Sequence, residues 1–424
     1  MVGIDAVLLF ILILKFIPLF YARASVYLFT LNEHFLVFSF IPLVLLAAYI
    51  VVGFARSWSH ATFVKTLIIG FLGVFLIGSL LGLQVIARKF SYPYLYLHDG
   101  GVQTEDAIHA LQKGNNPYGF DYSSGPFGAF PDTFSQATRV NPAWNHYVYL
   151  PLQLVIGAPL DWLSRATIGW FDIRFLYLAS FLALIVSAIF LVKDSKKVPI
   201  LLILLLFNPY FIQFFIAGFN DVFFLAWIAL AAVFLQRKKM TTAAVFVGLA
   251  IASKQPALFI VPFFLAYVFI ASDTKERVRK TVTAALVSAA VVALIVGPFV
   301  IWSPSRFIDD TLRYATGSAP QSYPISGFGV SSLMLSAGWI RSMWSAYPFW
   351  MWQIAIGIPA LVFLVRWQLR SNTVARMLAA YGVFTFAMLF FSRYFNDSHL
   401  AMISVVLILS FAASASASND VPYG

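Results

Sequence analysis

The chain has 424 residues, 61% of them hydrophobic, 17% aromatic and only 11% charged, with a mean hydropathy of +0.85. A water-soluble domain does not carry so much apolar material, so the composition calls for a lipid environment. The formal charge of +11 sits on Lys and Arg in short segments between apolar runs. There it reports membrane topology and not nucleic acid, whose single strands are gripped by basic residues interleaved with aromatics. The absence of cysteine excludes disulfides and thiolate metal sites.

In chain order, apolar runs punctuated by polar or basic residues predict helices near 4–22, 34–55, 65–87, 172–192, 198–216 and 221–236. Six more follow near 241–253, 257–272, 281–302, 345–366, 376–392 and 399–415. The first run is followed by no small-residue cleavage site and is expected to be retained as a span. The fold class this predicts is an all-α polytopic membrane protein, a bundle of about twelve transmembrane helices. The basic segments "ARSWSHATFVK", "KDSKK", "QRKK", "DTKERVRK" and "RWQLRSNTVAR" all fall on one side of that bundle, the cytoplasm, together with both termini. This parity holds only if 147–163, "YVYLPLQLVIGAPLDWL", does not cross. The run is short, contains Pro151 and Pro159 and is bordered by Tyr149 and Trp162, so it is expected to be interfacial or re-entrant.

The outward side then holds two long segments, 88–171 and about 303–344, and the short turns "GFND" and "SRYFNDSH". Loops of that length are usually functional. The two runs flanking "ASKQP" are short for spans, which suggests a hairpin folded back inside the bundle. The Ser-rich tail "SASASND" is expected to lack structure.

Polar residues on that side are the candidates for chemistry. "LHDGGVQT", residues 97–104, leaves the third span. A surface helix is expected to follow it, with Thr104 as N-cap, Glu105 and Asp106 in its first turn and Gly114 as terminator. Capping accounts for Glu105 and Asp106 as well as function does, because carboxylates favour a helix N-terminus in any protein. Asp99 precedes two glycines that let backbone approach a ligand, although Asp-Gly is also an ordinary turn. Asn220 and Asp221 sit where one span ends and the next begins; they cap a helix or mark a site at membrane depth. Lys254, in "ASKQP", is a snorkelling side chain or a point charge for phosphate. Arg393, Tyr394 and His399 crowd the last outward turn. No phosphate-cradling glycine loop, HExxH pair or serine elbow is present. Outward acids with basic groups suit a transferase, in which a carboxylate deprotonates a hydroxyl while cations or a metal neutralise a phosphate leaving group.

The segments "HDGGVQTEDAIHALQKGNNPYGFDY", "NPAWNHYVYLPL", "FNPYFIQFFIAGFND" and "GLAIASKQPALFIVPFFL", in this order, resemble the polytopic GT-C glycosyltransferases. Among these the chain is most similar to bacterial enzymes that use polyprenyl-phosphate mannose or a related lipid-phosphate sugar. The resemblance covers about residues 65–300. It implies a GT-C-like bundle with extracytoplasmic surface helices in the first large loop. It divides the chain into two N-terminal helices (1–64), a catalytic core (65–300) and C-terminal helices (301–424).

The implied activity is inverting transfer of a sugar, mannose or another hexose or pentose, from a polyprenyl-phosphate donor to a glycolipid or glycan acceptor outside the plasma membrane. No nucleic acid takes part. Asp99 is implied as the catalytic base, with the Glu105/Asp106 pair as its rival; Glu105, Asp106 and Asp221 are implied as acceptor or metal residues. Lys254, Arg393 and His399 are implied to hold the donor phosphate, and His98, His146, Tyr149, Asn220, Gln255 and Tyr394 to line the substrate cavity. Some relatives bind a divalent metal at two such acids, which makes Asp99 and Asp221 the candidate ligands for Mg or Mn. "YLPL" here departs from the relatives' "YPPL". A transporter or flippase for an anionic lipid or solute is the rival from another class, disfavoured by the lack of internal symmetry.

Overall fold

The computed structural model describes residues 3–24, 34–55, 58–130, 141–319 and 321–414, and within the first two helices the side chains of 3–15 and 40–54. The Ser-rich tail expectation and Arg56 of the first basic segment lie largely or wholly outside the described residues. Among the described residues helices dominate, with a single two-residue strand pair, Ser326–Gly327 with Tyr394–Phe395. Its first helices are α1 (Ile4–Ala24), α2 (His34–Phe54) and α3 (Ala61–Gly73), the last continuing through a π turn at Val74–Gly78 into α4 (Ser79–Lys89). Two helices outside the apolar runs follow, α5 (Asp99–Gln112) and α6 (Leu152–Ile168), and then α7 (Arg174–Leu191), α8 (Val198–Leu206) and α9 (Pro209–Ala217). Next come α10 (Asp221–Gln236), α11 (Met240–Ser253), α12 (Val261–Ala271) and α13 (Arg277–Trp302). Short helices α14 (Pro304–Ile308), α15 (Tyr314–Thr316) and α16 (Val330–Ser336) precede α17 (Phe349–Leu369), α18 (Val374–Phe390) and α19 (Asp397–Ser414).

Among the described residues, five helices are long and apolar enough to cross a membrane: 61–89, α7, α13, α17 and α19. The pair 195–206 and α9 makes a sixth if it counts as one span. A straight helix was expected over 198–216, but the chain bends there by 55°. Pro209 has no N–H to continue the α8 ladder, and the Asn208 side chain instead accepts the Phe211 N–H at 3.2 Å to start a new helix. Helices α10, α11, 255–271 and α18 are apolar but shorter. α6, 17 residues long, is not among these helices; it holds Pro159 internally and ends at Gly169, whose φ is +80°. One apolar core joins residues from Ala6 to Ala413, and a small second cluster (Ile325, Met334, Ile340, Phe349) sits under the second long segment.

The start of α5 differs from the sequence expectation. The helix begins at Asp99, five residues before Thr104. His98 is its N-cap, with the ring Nδ1 accepting the Gly100 N–H at 3.1 Å, and Thr104 lies within the helix, donating its hydroxyl to the Gly100 carbonyl at 2.7 Å. Two glycines in a first turn weaken a helix, yet here nothing larger fits: a Cβ on Gly100 would run into the Tyr149 hydroxyl. The backbone N–H of His98 also bonds the Ala217 carbonyl at 2.8 Å, tying this turn to the end of α9. α9 stops at Gly218, whose φ of +89° disfavours a side chain. The terminator expected at Gly114 has a φ of +79°.

Candidate active site

Four chain reversals meet around one cavity of about 330 Å³. They are the start of α5, the α9–α10 turn, the break between α11 and the 3-10 turn Gln255–Ile260, and the turn before α19; Thr311, Tyr314, Thr316 and Tyr323 of the second long segment close it. Of the sequence-predicted residues, Asp99, Asp221, Lys254, His399, His98, Tyr149, Asn220, Gln255 and Tyr394 all line it.

Asp99 is the accessible acid, with its side chain 45% exposed. It accepts from the Gly100 N–H at 2.6 Å and lies 2.9 Å from His98 Nε2. Desolvation works against its charge, but His98 and the Gly100 N–H outweigh it and hold the carboxyl below the usual carboxylate range. The His98 ring rests on Phe219, with ring centroids 3.7 Å apart.

Lys254 takes an extended backbone (φ −158°, ψ 138°) at the C-terminus of α11, which turns its amine back toward the start of α10. Its Nζ donates to Asp221 Oδ1 at 2.6 Å and Asn220 Oδ1 at 2.8 Å, and it lies 5.9 Å from the centre of the Tyr149 ring. Two of its three N–H donors are thereby used among the described residues. Gln255 fixes this turn by donating to the Val148 carbonyl at 2.8 Å and the Thr311 carbonyl at 3.2 Å. His399 Nδ1 accepts the Asn396 N–H at 3.0 Å, so the ring proton resides on Nε2. The ring stacks on Phe395. The turn that carries it is held by a two-residue parallel pairing, Ser326–Gly327 with Tyr394–Phe395, which brings the second long segment against the last core helices.

Four expectations need correction. Glu105 does not line the cavity. It forms an internal ion cluster with Arg88 (2.6 Å), whose guanidinium also reaches Asp172 at 2.9 Å, and Asp172 in turn binds Arg174 at 2.7 Å. Asp106 lies outside the cavity too, accepting the Phe127 N–H at 2.9 Å. Burial pushes its carboxyl up to about 6, against the lowering effect of that N–H and of Arg88. Arg393 is buried behind the cavity, donating to the Tyr323, Ser345 and Met343 carbonyls, so its guanidinium clamps backbone and does not line the cavity. His146 also stands one layer back, its Nδ1 2.8 Å from Asp310 and its ring stacked on Tyr314.

A divalent metal between Asp99 and Asp221 does not fit this arrangement. Among the described residues no three His, Asp or Glu side chains converge, and Asp221 already has a cation, Lys254, within 2.6 Å. Lysine supplies at this acid the positive charge that a metal would bring.

Sequence reading missed several lining residues: Gln103 on α5 and Thr311, Tyr314 and Tyr323 in the second long segment. It also missed Asp310, a buried carboxylate that accepts the Gly119 N–H (2.7 Å) and Tyr147 N–H (3.1 Å) besides meeting His146, joining the two long segments. The acid pair "DD" at 309–310 in an outward segment was the available signal.

Over residues 147–392, more than half its length, the sequence matches the model of glycosyltransferase family 87. The chain belongs to glycosyltransferase family 87. It is therefore a glycosyltransferase of a GT-C-like membrane family, which disfavours the transporter reading. No curated protein and no solved structure matches it. The family 87 match contains Asn220, Asp221, Lys254 and Gln255, and it extends beyond the region 65–300 that carried the resemblance, through the second long segment and α18. Asp99 and His399 lie outside the matched range, although they share the cavity with residues inside it.

Proposed function

We propose that this family 87 enzyme is an inverting transferase that moves a sugar, mannose or a related hexose or pentose, from a polyprenyl-phosphate donor to a lipid or glycan hydroxyl on the extracytoplasmic face. One observation carries the reading. A half-exposed carboxylate, Asp99, shares a single cavity with a partly buried amine, Lys254, two of whose three N–H donors are used among the described residues, and with the Nε2 edge of His399.

In the proposed reaction the acceptor oxygen attacks the anomeric carbon while its proton passes to Asp99. The anomeric bond to the phosphate oxygen breaks, and its electron pair leaves with the polyprenyl phosphate. Charge growing on that phosphate is met by Lys254 and by the His399 Nε2–H. Asp221 and Asn220 position the Lys254 amine. Tyr149 and Tyr394 supply aromatic wall for a sugar ring, beside the cavity-lining Tyr314.

Twelve crossings with cytoplasmic termini also belong to this reading. Charge parity puts Asp99, "GFND", "ASKQP" and "SRYFNDSH" on one outward face, and the gathering of all four around one cavity supports that parity. The proposed catalytic unit extends beyond 65–300, since Thr311, Tyr314, Tyr323 and the turn before α19 line the same cavity.

The test is transfer from labelled polyprenyl-phosphate sugars, with nucleotide sugars as the comparison, to glycolipid acceptors. Transfer from the lipid-linked donor with inversion at the anomeric carbon is expected; transfer only from the nucleotide sugar overturns the donor assignment. Lys254→Ala is expected to raise the donor KM about tenfold or more, in line with loss of a charge-assisted hydrogen bond, with little change in acceptor KM. Equal effects on both substrates would remove the phosphate role.

A further inference from the structure

The proposed base does not stand alone. We propose that His98 is a positioning residue for Asp99, donating its Nε2–H to the carboxylate so that one oxygen is held while the other faces the acceptor hydroxyl. The inference rests on the reading of Asp99 as the base and adds a residue and a proton state to it.

Three contacts fix the imidazole. Its Nδ1 accepts the Gly100 N–H at 3.1 Å, and a nitrogen that accepts carries no proton. The ring proton of the neutral tautomer is therefore on Nε2, the atom 2.9 Å from Asp99 Oδ1. The ring packs at a tilt of 38° on Phe219, 3.7 Å between centroids, and the backbone N–H of His98 is tied to the Ala217 carbonyl. The imidazole is thus locked in place, in rotation and in tautomer, by the turn between α9 and α10 and by the first turn of α5. A donor on the carboxylate favours its ionised state, so His98 keeps the base charged.

The other groups that face Asp99 are the phenols of Tyr149, Tyr314 and Tyr323, with Lys254, Asp221 and His399 elsewhere on the same cavity wall. None of the phenols ionises in the range where a carboxylate titrates. A base works only when ionised, so activity is lost as pH falls through the Asp99 pKa. Losing the Nε2–H raises that pKa and moves the acid limb of the pH profile upward.

An ordinary helix cap would produce no such shift, which makes His98→Asn the discriminating variant. The asparagine Oδ1 can still accept the Gly100 N–H and cap α5, but the imidazole Nε2–H is gone and the Asp99 carboxylate keeps the Gly100 N–H. The experiment measures kcat and KM against pH in the detergent-purified full chain, with Asp99→Asn assayed in parallel and thermal unfolding as the folding control. The expected result is an acid limb about one pH unit higher and a kcat lower by about tenfold at neutral pH, with KM within about twofold and unfolding unchanged. An unshifted acid limb in His98→Asn beside an inactive Asp99→Asn overturns the positioning role while leaving Asp99 as the base. An active Asp99→Asn overturns both.

Discussion

Asp99→Asn is expected to lower the rate of sugar transfer by about 10²–10⁴-fold, the usual contribution of a positioned general base. The substitution is nearly isosteric. Its amide oxygen can still accept from the Gly100 N–H and from His98 Nε2, so the first turn of α5 keeps its hydrogen bonds while the proton acceptor is lost. Substrate binding should change little, because the phosphate contacts are assigned to Lys254 and His399 on other elements. The measurement is the initial rate of transfer from a labelled polyprenyl-phosphate sugar, with thermal unfolding of the purified variant beside it. A rate near wild type would end the assignment. Glu105 and Asp106 could not then inherit the role from where they stand, since neither lines the cavity; Asp221 would be the acid left there.

Arg88→Met is expected to destabilise the protein by about 3–5 kcal/mol, the range for removing one partner of a buried ion pair. Arg88, Glu105, Asp172 and Arg174 form a neutral set of two cations and two carboxylates, with side chains no more than 10% exposed. Arg88 lies in the last turn of α4, Glu105 lies on α5, Asp172 just precedes α7 and Arg174 begins it, so the set fastens the helix that carries Asp99 to the bundle. Without Arg88, Glu105 has lost its bidentate partner and retains the Ile173 N–H at 2.8 Å, in a site too dry to solvate its charge. Loss of thermal stability in detergent is the readout. The double variant Arg88→Met/Glu105→Leu should recover part of that loss, because it removes the stranded carboxylate with the cation. A single variant as stable as wild type would show that the cluster is not holding α5.

The outward acids show where sequence reading reached and where it stopped. Asp99, Asp221 and Lys254 were legible because each sits at a break between apolar runs, where a charged residue is costly unless it is used or solvated. Glu105 and Asp106 looked equivalent to them, since a helix N-terminus accounts for any carboxylate near it. Their exclusion from the cavity follows from the helix starting at Asp99, which turns Glu105 toward Arg88, 17 residues away in sequence, and Asp106 toward Phe127, 21 away. Arg393 stands outside the cavity for a related reason: carbonyls about 50 and 70 residues distant in sequence engage its guanidinium. No local pattern carries such partners.

What the sequence by itself determined is the lipid environment, the positions of the long apolar helices and the polar reversals between them. These depend on hydrophobic length and on punctuation by Pro, Gly and charge, all local in the chain. The tertiary structure decided which reversals share a cavity, that Asp221 is paired with Lys254, and that one acid of the "HDGGVQTED" stretch faces the cavity while two are consumed inside. Burial obliges every charge to find a partner, and where that partner lies depends on the packing of distant helices.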